Sequence, residues 1–157
     1  MFKVTRKLRV VVAAVAVACA SAAIAQSSSP ADTIRARQQG LKDMGASFKA
    51  VRDQLRVSTP DMAAIKAAGE NIKKTADAMA TWFPKGTGTE AGIKTAAKPE
   101  IWTDEAAFNR ARTNLVAAAT KFAELTNAGD KAAIGAGVGA LGGACKGCHD
   151  KYRVKED

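Results

Sequence analysis

Residues 62–83, MAAIKAAGENIKKTADAMATWF, decide the fold of this 157-residue chain. Met62, Ile65, Gly69, Ile72, Ala76, Met79 and Phe83 follow one another at alternating steps of three and four. Such a repeat puts them all on one narrow stripe of an α-helix, the pattern of helices packed nearly parallel along a seam. Thr59 is expected as the cap, with Pro60 in the first turn and Asp61 behind it.

Three further stretches repeat the pattern. Ile34, Leu41, Met44, Phe48, Val51 and Leu55 share a stripe before this one, and Phe108, Ala111, Leu115, Ala118, Phe122 and Leu125 share one after it. Ile134, Val138, Leu141, Cys145, Cys148 and Tyr152 form the last. Thr103, with Asp104 and Glu105 near the positive end of the helix, introduces the third segment, and Asp130 after Gly129 opens the fourth. Short turns at 57–60 and 127–130 make neighbouring helices antiparallel, so the expected fold is an all-α, antiparallel four-helix bundle. Composition agrees: alanine dominates, aromatics are 5%, and no stretch alternates with period two.

Residues 1–25 stand apart. Lys3, Arg6, Lys7 and Arg9 precede an apolar run from Val10 to Ala20 and then Ala23-Ile24-Ala25. This is the layout of a secretory signal cut after Ala25, with an apolar run too short to span a bilayer. A lipoprotein signal using Cys19 competes with it, but Ala20-Ser21-Ala22 are still leader-like. The mature chain is then one domain, residues 26–157, in the periplasm, without membrane insertion after processing. The formal charge is +9, and removing the four leader charges leaves +5. The excess is scattered, with no arginine stripe or aromatic platform, which argues against nucleic-acid binding.

The segment between the second and third helices, PKGTGTEAGIKTAAKPEI at 84–101, is long for a bundle and rich in glycine. Trp82, Phe83 and Trp102 bracket it and are expected to anchor its ends.

Chemistry concentrates at GACKGCHDKYR, residues 143–153. Cys145 and Cys148 are the only cysteines beyond the leader, and His149 is the only histidine in the chain. A zinc site lacks further ligands. A thioredoxin-type pair belongs near a βαβ unit, which is absent. A disulfide is allowed in an exported protein but would constrain almost nothing across one helical turn. Cys-x-x-Cys-His instead fits covalent haem attachment, each thiol adding to a vinyl group to form a thioether while the imidazole binds the iron. The glycines of this helix admit two readings. A flat macrocycle close to the backbone is one, with Gly142 and Gly143 the best candidates, and tight helix–helix packing is the other.

A Cys-x-x-Cys-His on the last helix of a four-helix bundle resembles the class II c-type cytochromes, and in particular the cytochrome c prime family. ARQQGLKDMGASFKAVRDQL (36–55) looks like that family's first helix, WFPKGTG (82–88) and KPEIW (98–102) like its long loop, and GGACKGCHDKYR (142–153) like its haem site. The resemblance implies one covalently held haem c, with His149 as proximal iron ligand. It also implies an apolar side chain from the first helix, here Leu41, on the opposite face. Leucine cannot bind iron, so five-coordinate, largely high-spin iron is expected. Met44, one turn on, is read as core filler, with coordination through a shifted register as the competing reading. Arg37 stands where the stripe asks for an apolar residue. It either snorkels to solvent or pairs with a haem propionate, which the resemblance favours, with Gln38 helping. Arg153 either stands beside the proximal imidazole, as in the family, or meets the negative end of the helix dipole.

An open iron with an apolar far side suits nitric oxide and carbon monoxide together with electron transfer to redox partner proteins. Stable oxygenation lacks a donor, and peroxidase chemistry lacks a distal base, which argues against an enzyme. A low-spin electron carrier with methionine as sixth ligand, and a haem-free bundle for partner binding, are the alternatives. Family members commonly pair as homodimers.

Overall fold

The computed structural model describes residues 29–155; the signal segment lies outside them. Four long helices form the bundle. They are α1 (Pro30–Arg56), α2 (Met62–Ala78), α4 (Glu105–Ala128) and α5 (Lys131–Tyr152), with a single-turn α3 (Glu100–Thr103) before α4. Among the described residues there is no strand, only one isolated bridge between Ala97 and Arg153.

Side-chain caps set where each helix starts. Ser29 accepts from the Asp32 amide at 3.1 Å ahead of Pro30. The cap of α2 is Asp61, not Thr59: its carboxylate accepts from the Ala64 amide at 2.9 Å, and Gln54 Oε1 accepts from the Asp61 amide. Pro60 therefore lies in the turn rather than the helix. In the same way Asp104, not Thr103, caps α4 by accepting from Ala107, because Thr103 still belongs to α3. Asp130 caps α5 as expected, accepting from Ala132 and Ala133. Gly129, at φ +78°, lets the chain reverse between α4 and α5.

The stripes meet as the heptads require. Ile34, Val51, Ile65, Ile72, Ala76, Leu115, Ala119, Phe122, Ile134 and Leu141 are essentially removed from solvent. On α4 the seam takes Ala119 more deeply than the expected Ala118. A second, smaller cluster of Ile101, Phe108 and Tyr152 closes the loop end, where Phe108 meets Phe83 and Tyr152 edge-on at 4.9 and 5.1 Å. Helix α2 packs on α1 and on α4, and α4 packs on α5; α1 and α5 touch only sparsely.

Glycine works differently on α2 and α5. A Cβ at Gly69 would lie 2.1 Å from Thr126 Oγ1 and 2.9 Å from its Cβ, so α2 and α4 approach there as only glycine allows. On α5, packing accounts for Gly137, whose Cβ would meet Leu125 at 2.7 Å, and loosely for Gly142 against Phe48 at 3.6 Å. Gly135, Gly139, Gly143 and Gly147 face no protein atom within 4 Å, so tight helix packing does not explain most of the α5 glycines. Gly69→Ala should therefore destabilise the bundle by about 1–3 kcal/mol through overpacking. Gly139→Ala, by contrast, should stabilise it by about 0.5–1 kcal/mol. Thermal melts followed by circular dichroism would show opposite signs.

Candidate functional site

Cys145 and Cys148 lie one turn apart on the inner face of α5, both half-buried and both free thiols. Cys145 packs against the main core, which Leu41 of α1 also flanks. Cys148 packs against the Ile101–Phe108–Tyr152 cluster. The pair thus spans the junction between the two apolar clusters at the loop end of the bundle. His149 follows at the solvent edge of the same face, exposed.

Burial pushes both thiols up, and Cys148 rises further because Cys145 is beside it. Burial, then the charge of Arg153, pushes the His149 imidazole down, with Asp150 opposing. Both cysteines are therefore thiols at neutral pH and the histidine is a neutral imidazole, the form that donates a lone pair to a metal. Among the described residues no group of three or more His, Cys, Asp and Glu side chains converges to hold a metal ion.

Met44 is 6% exposed inside the main cluster, alongside half-buried Leu41. Arg37 is 1% exposed and does not snorkel. Its guanidinium is committed to the loop. Nη1 donates to the Trp82 carbonyl and Thr87 Oγ1, both at 3.2 Å, and Nη2 donates to the Thr87 carbonyl and Thr95 Oγ1, both at 3.0 Å. The Phe83 ring lies 4.8 Å from the guanidinium carbon. Among the described residues no carboxylate bonds it; its burial lowers its pKa, opposed by the charge of Glu90. Gln38 Nε2 donates to the Lys94 carbonyl at 2.8 Å. Arg153 ends α5, its amide donating to the His149 carbonyl, and pairs with Ala97 across the isolated bridge.

The loop is more ordered than its composition predicts. Trp102 Nε1 donates to the carbonyls of Phe83 and Pro84, and the Trp82 ring covers Gly40, where a Cβ would lie 2.1 Å from it. Both tryptophans and Phe83 anchor the loop ends, as expected. Thr87, Thr95 and the Gly40–Trp82 contact were not anticipated. Only the misplaced charge at Arg37 pointed towards them.

The residues suit a haem of the c type. Two thiols at the required spacing lie half-buried on the inner face, a neutral imidazole adjoins them, and α5 meets α1 only sparsely. Fold and site together define a class, the helical-bundle haem proteins with Cys-x-x-Cys-His on the final helix. The comparisons make it specific. The family model for cytochrome c' matches residues 32–153. Cytochrome c' of Rubrivivax gelatinosus is 38% identical over 136 residues, covering 83% of this chain and all of that protein. That of Rhodospirillum rubrum is 36% identical over 150 residues, covering 93% and 98%. The solved R. gelatinosus structure is similar with a TM-score of 0.75, 34% identity and coverage of 82% and 100%. A nitric oxide complex of a cytochrome c prime variant from Alcaligenes xylosoxidans is similar with a TM-score of 0.73, 30% identity and coverage of 83% and 100%. The chain belongs to the cytochrome c' family, whose members are c-type haem proteins. Among the described residues no helix is long and apolar enough to cross a membrane.

Proposed function

We propose that residues 26–157 form a periplasmic protein carrying one haem, joined through thioethers to Cys145 and Cys148 and ligated by His149, with five-coordinate, largely high-spin iron. It passes electrons to and from redox partners and binds nitric oxide and carbon monoxide. Bound haem supplies a one-electron couple and an open coordination position for a diatomic gas. The observation that carries the reading is Leu41. Leu41, an α1 residue that flanks the same apolar cluster as Cys145, offers no lone pair, and Met44 is buried within that cluster.

The chain's own residues do the rest. Cys145 and Cys148 would hold the haem through carbon–sulfur bonds, each thiol adding across a vinyl group with its hydrogen going to the neighbouring carbon, so that no oxidant is needed. The neutral His149 imidazole would donate to iron, and Leu41 would keep water from the site. With its four Nη bonds made to the loop, Arg37 would meet a haem propionate through Nε–H or through its charge. With its single histidine committed, no second imidazole remains to serve as a distal base, which favours a carrier and gas binder over an enzyme. The nitric oxide complex of the Alcaligenes xylosoxidans relative supports gas binding.

The deciding test is the absorption spectrum of the mature haem-loaded protein, ferric and ferrous, with and without carbon monoxide. A high-spin spectrum that shifts on adding carbon monoxide is expected. Sharp α and β bands indifferent to the gas would instead favour a methionine-ligated electron carrier.

A further inference from the structure

The loop between α2 and α3 is bonded both to α1 and to the end of α5, two helices that touch each other only sparsely. On the α1 side, Arg37 grips Trp82, Thr87 and Thr95, and Gln38 grips Lys94. On the α5 side, the Lys98 amide donates to the Tyr152 carbonyl at 3.0 Å and the Val154 amide donates to the Ala96 carbonyl at 2.8 Å. The two attachments are a few residues apart along a loop whose ends are pinned by Trp82 on Gly40 and by the Trp102 indole. Direct packing between α1 and α5 is sparse, and the contact of Phe48 with Gly142 lies further along the bundle from Arg37 and His149. A continuous hydrogen-bonded path runs instead from Arg37, four residues before Leu41, to Tyr152 and Val154, just beyond His149.

We propose that Arg37 and residues 82–98 act as a strap that fixes the separation of α1 and α5, and with it the gap between Leu41 and His149. Arg37, Thr87 and Thr95 are then positioning residues. They act on both faces of the site through the backbone, not by touching the cofactor. The buried guanidinium suits the task, because its planar fork holds four acceptors from three loop residues in one geometry. Loosening the fork should be felt at the far end of the strap, some 60 residues away in sequence but a few hydrogen bonds away in space. This rests on the haem reading above, and the test separates the two.

The experiment compares the haem-loaded wild type with Arg37→Lys and with Thr87→Val/Thr95→Val, which keeps Arg37 and removes both hydroxyl acceptors. Amide hydrogen exchange is read at Lys98 and Val154, and the ferric spin state by electron paramagnetic resonance. The strap predicts exchange at both amides at least about tenfold faster in each variant. It also predicts that the threonine variant acquires a low-spin fraction or a second high-spin signal absent from the wild type. A direct propionate role for Arg37 predicts no change in the threonine variant's iron signal, and that result would overturn the proposal. Unchanged exchange at Lys98 and Val154 would overturn it too. Should the threonine pair fail to fold, Thr95→Val alone removes one 3.0 Å bond and carries the same predictions. A wild type that is already low-spin would sink the five-coordinate reading, while the exchange data would still decide the strap.

Discussion

A chain in which Cys145 and Cys148 are both serine is expected to lose all of its haem to acidified acetone, where the wild type loses none. A serine hydroxyl does not add to a vinyl group as a thiol does, so both covalent links disappear and only the His149 bond remains. That bond breaks when acid protonates the imidazole. Each single variant keeps one thioether and should hold its haem through extraction, with an α band displaced because one vinyl group stays unsaturated. Serine is close in size, and both positions are only half-buried, so the bundle should survive. Circular dichroism checks the helix content, and a haem stain after denaturing electrophoresis checks the attachment. Haem retained by the double variant would mean that these thiols are not the anchors.

Leu41→Met should change the iron most without moving the fold. Methionine is nearly as good a helix former as leucine and matches its volume, so the stability cost should stay below about 1.5 kcal/mol. Its thioether, however, places a lone pair where leucine has none. The expected ferrous spectrum is low-spin, with sharp α and β bands. Carbon monoxide affinity should fall about 100-fold if the sulfur leaves the iron free for roughly one part in a hundred of the time. Leu41→Ala should move affinity upward, since it removes bulk and adds no ligand. Carbon monoxide titration of the three proteins orders them as alanine, leucine, methionine from tight to weak. Equal affinities would place another residue over the iron.

Periodicity made the bundle legible, because a heptad stripe is a local signal that tertiary packing then obeys. The caps were read one or two residues early at Thr59 and Thr103. In each case a nearby aspartate, Asp61 or Asp104, holds the helix-opening amide instead. Adjacency made CKGCH legible, because the attachment chemistry needs its groups at fixed short spacing. Arg37 was legible only as an anomaly. Its partners lie 45 to 58 residues away, and nothing local in the sequence points to them. The loop was hidden for the same reason, its order coming from contacts with α1 and α5 rather than from its own composition. Sequence left both readings of the α5 glycines open, because it does not tell which side of a helix a missing side chain leaves open; at Gly135, Gly139, Gly143 and Gly147 the structure removes the packing one.

Those exposed glycines also bear on how the protein is assembled. Gly135, Gly139, Gly143 and Gly147 each lower intrinsic helicity by about 1 kcal/mol relative to alanine. With nothing packed over them, no tertiary contact at those positions repays it. Helix α5 therefore has little tendency to form alone and takes shape on α4 and its neighbours once they exist. It is expected to order last of the four long helices, and amide exchange along it should be the fastest of the four. In the haem-bearing reading proposed above, that late ordering would leave both thiols and the imidazole open until the bundle closes around them.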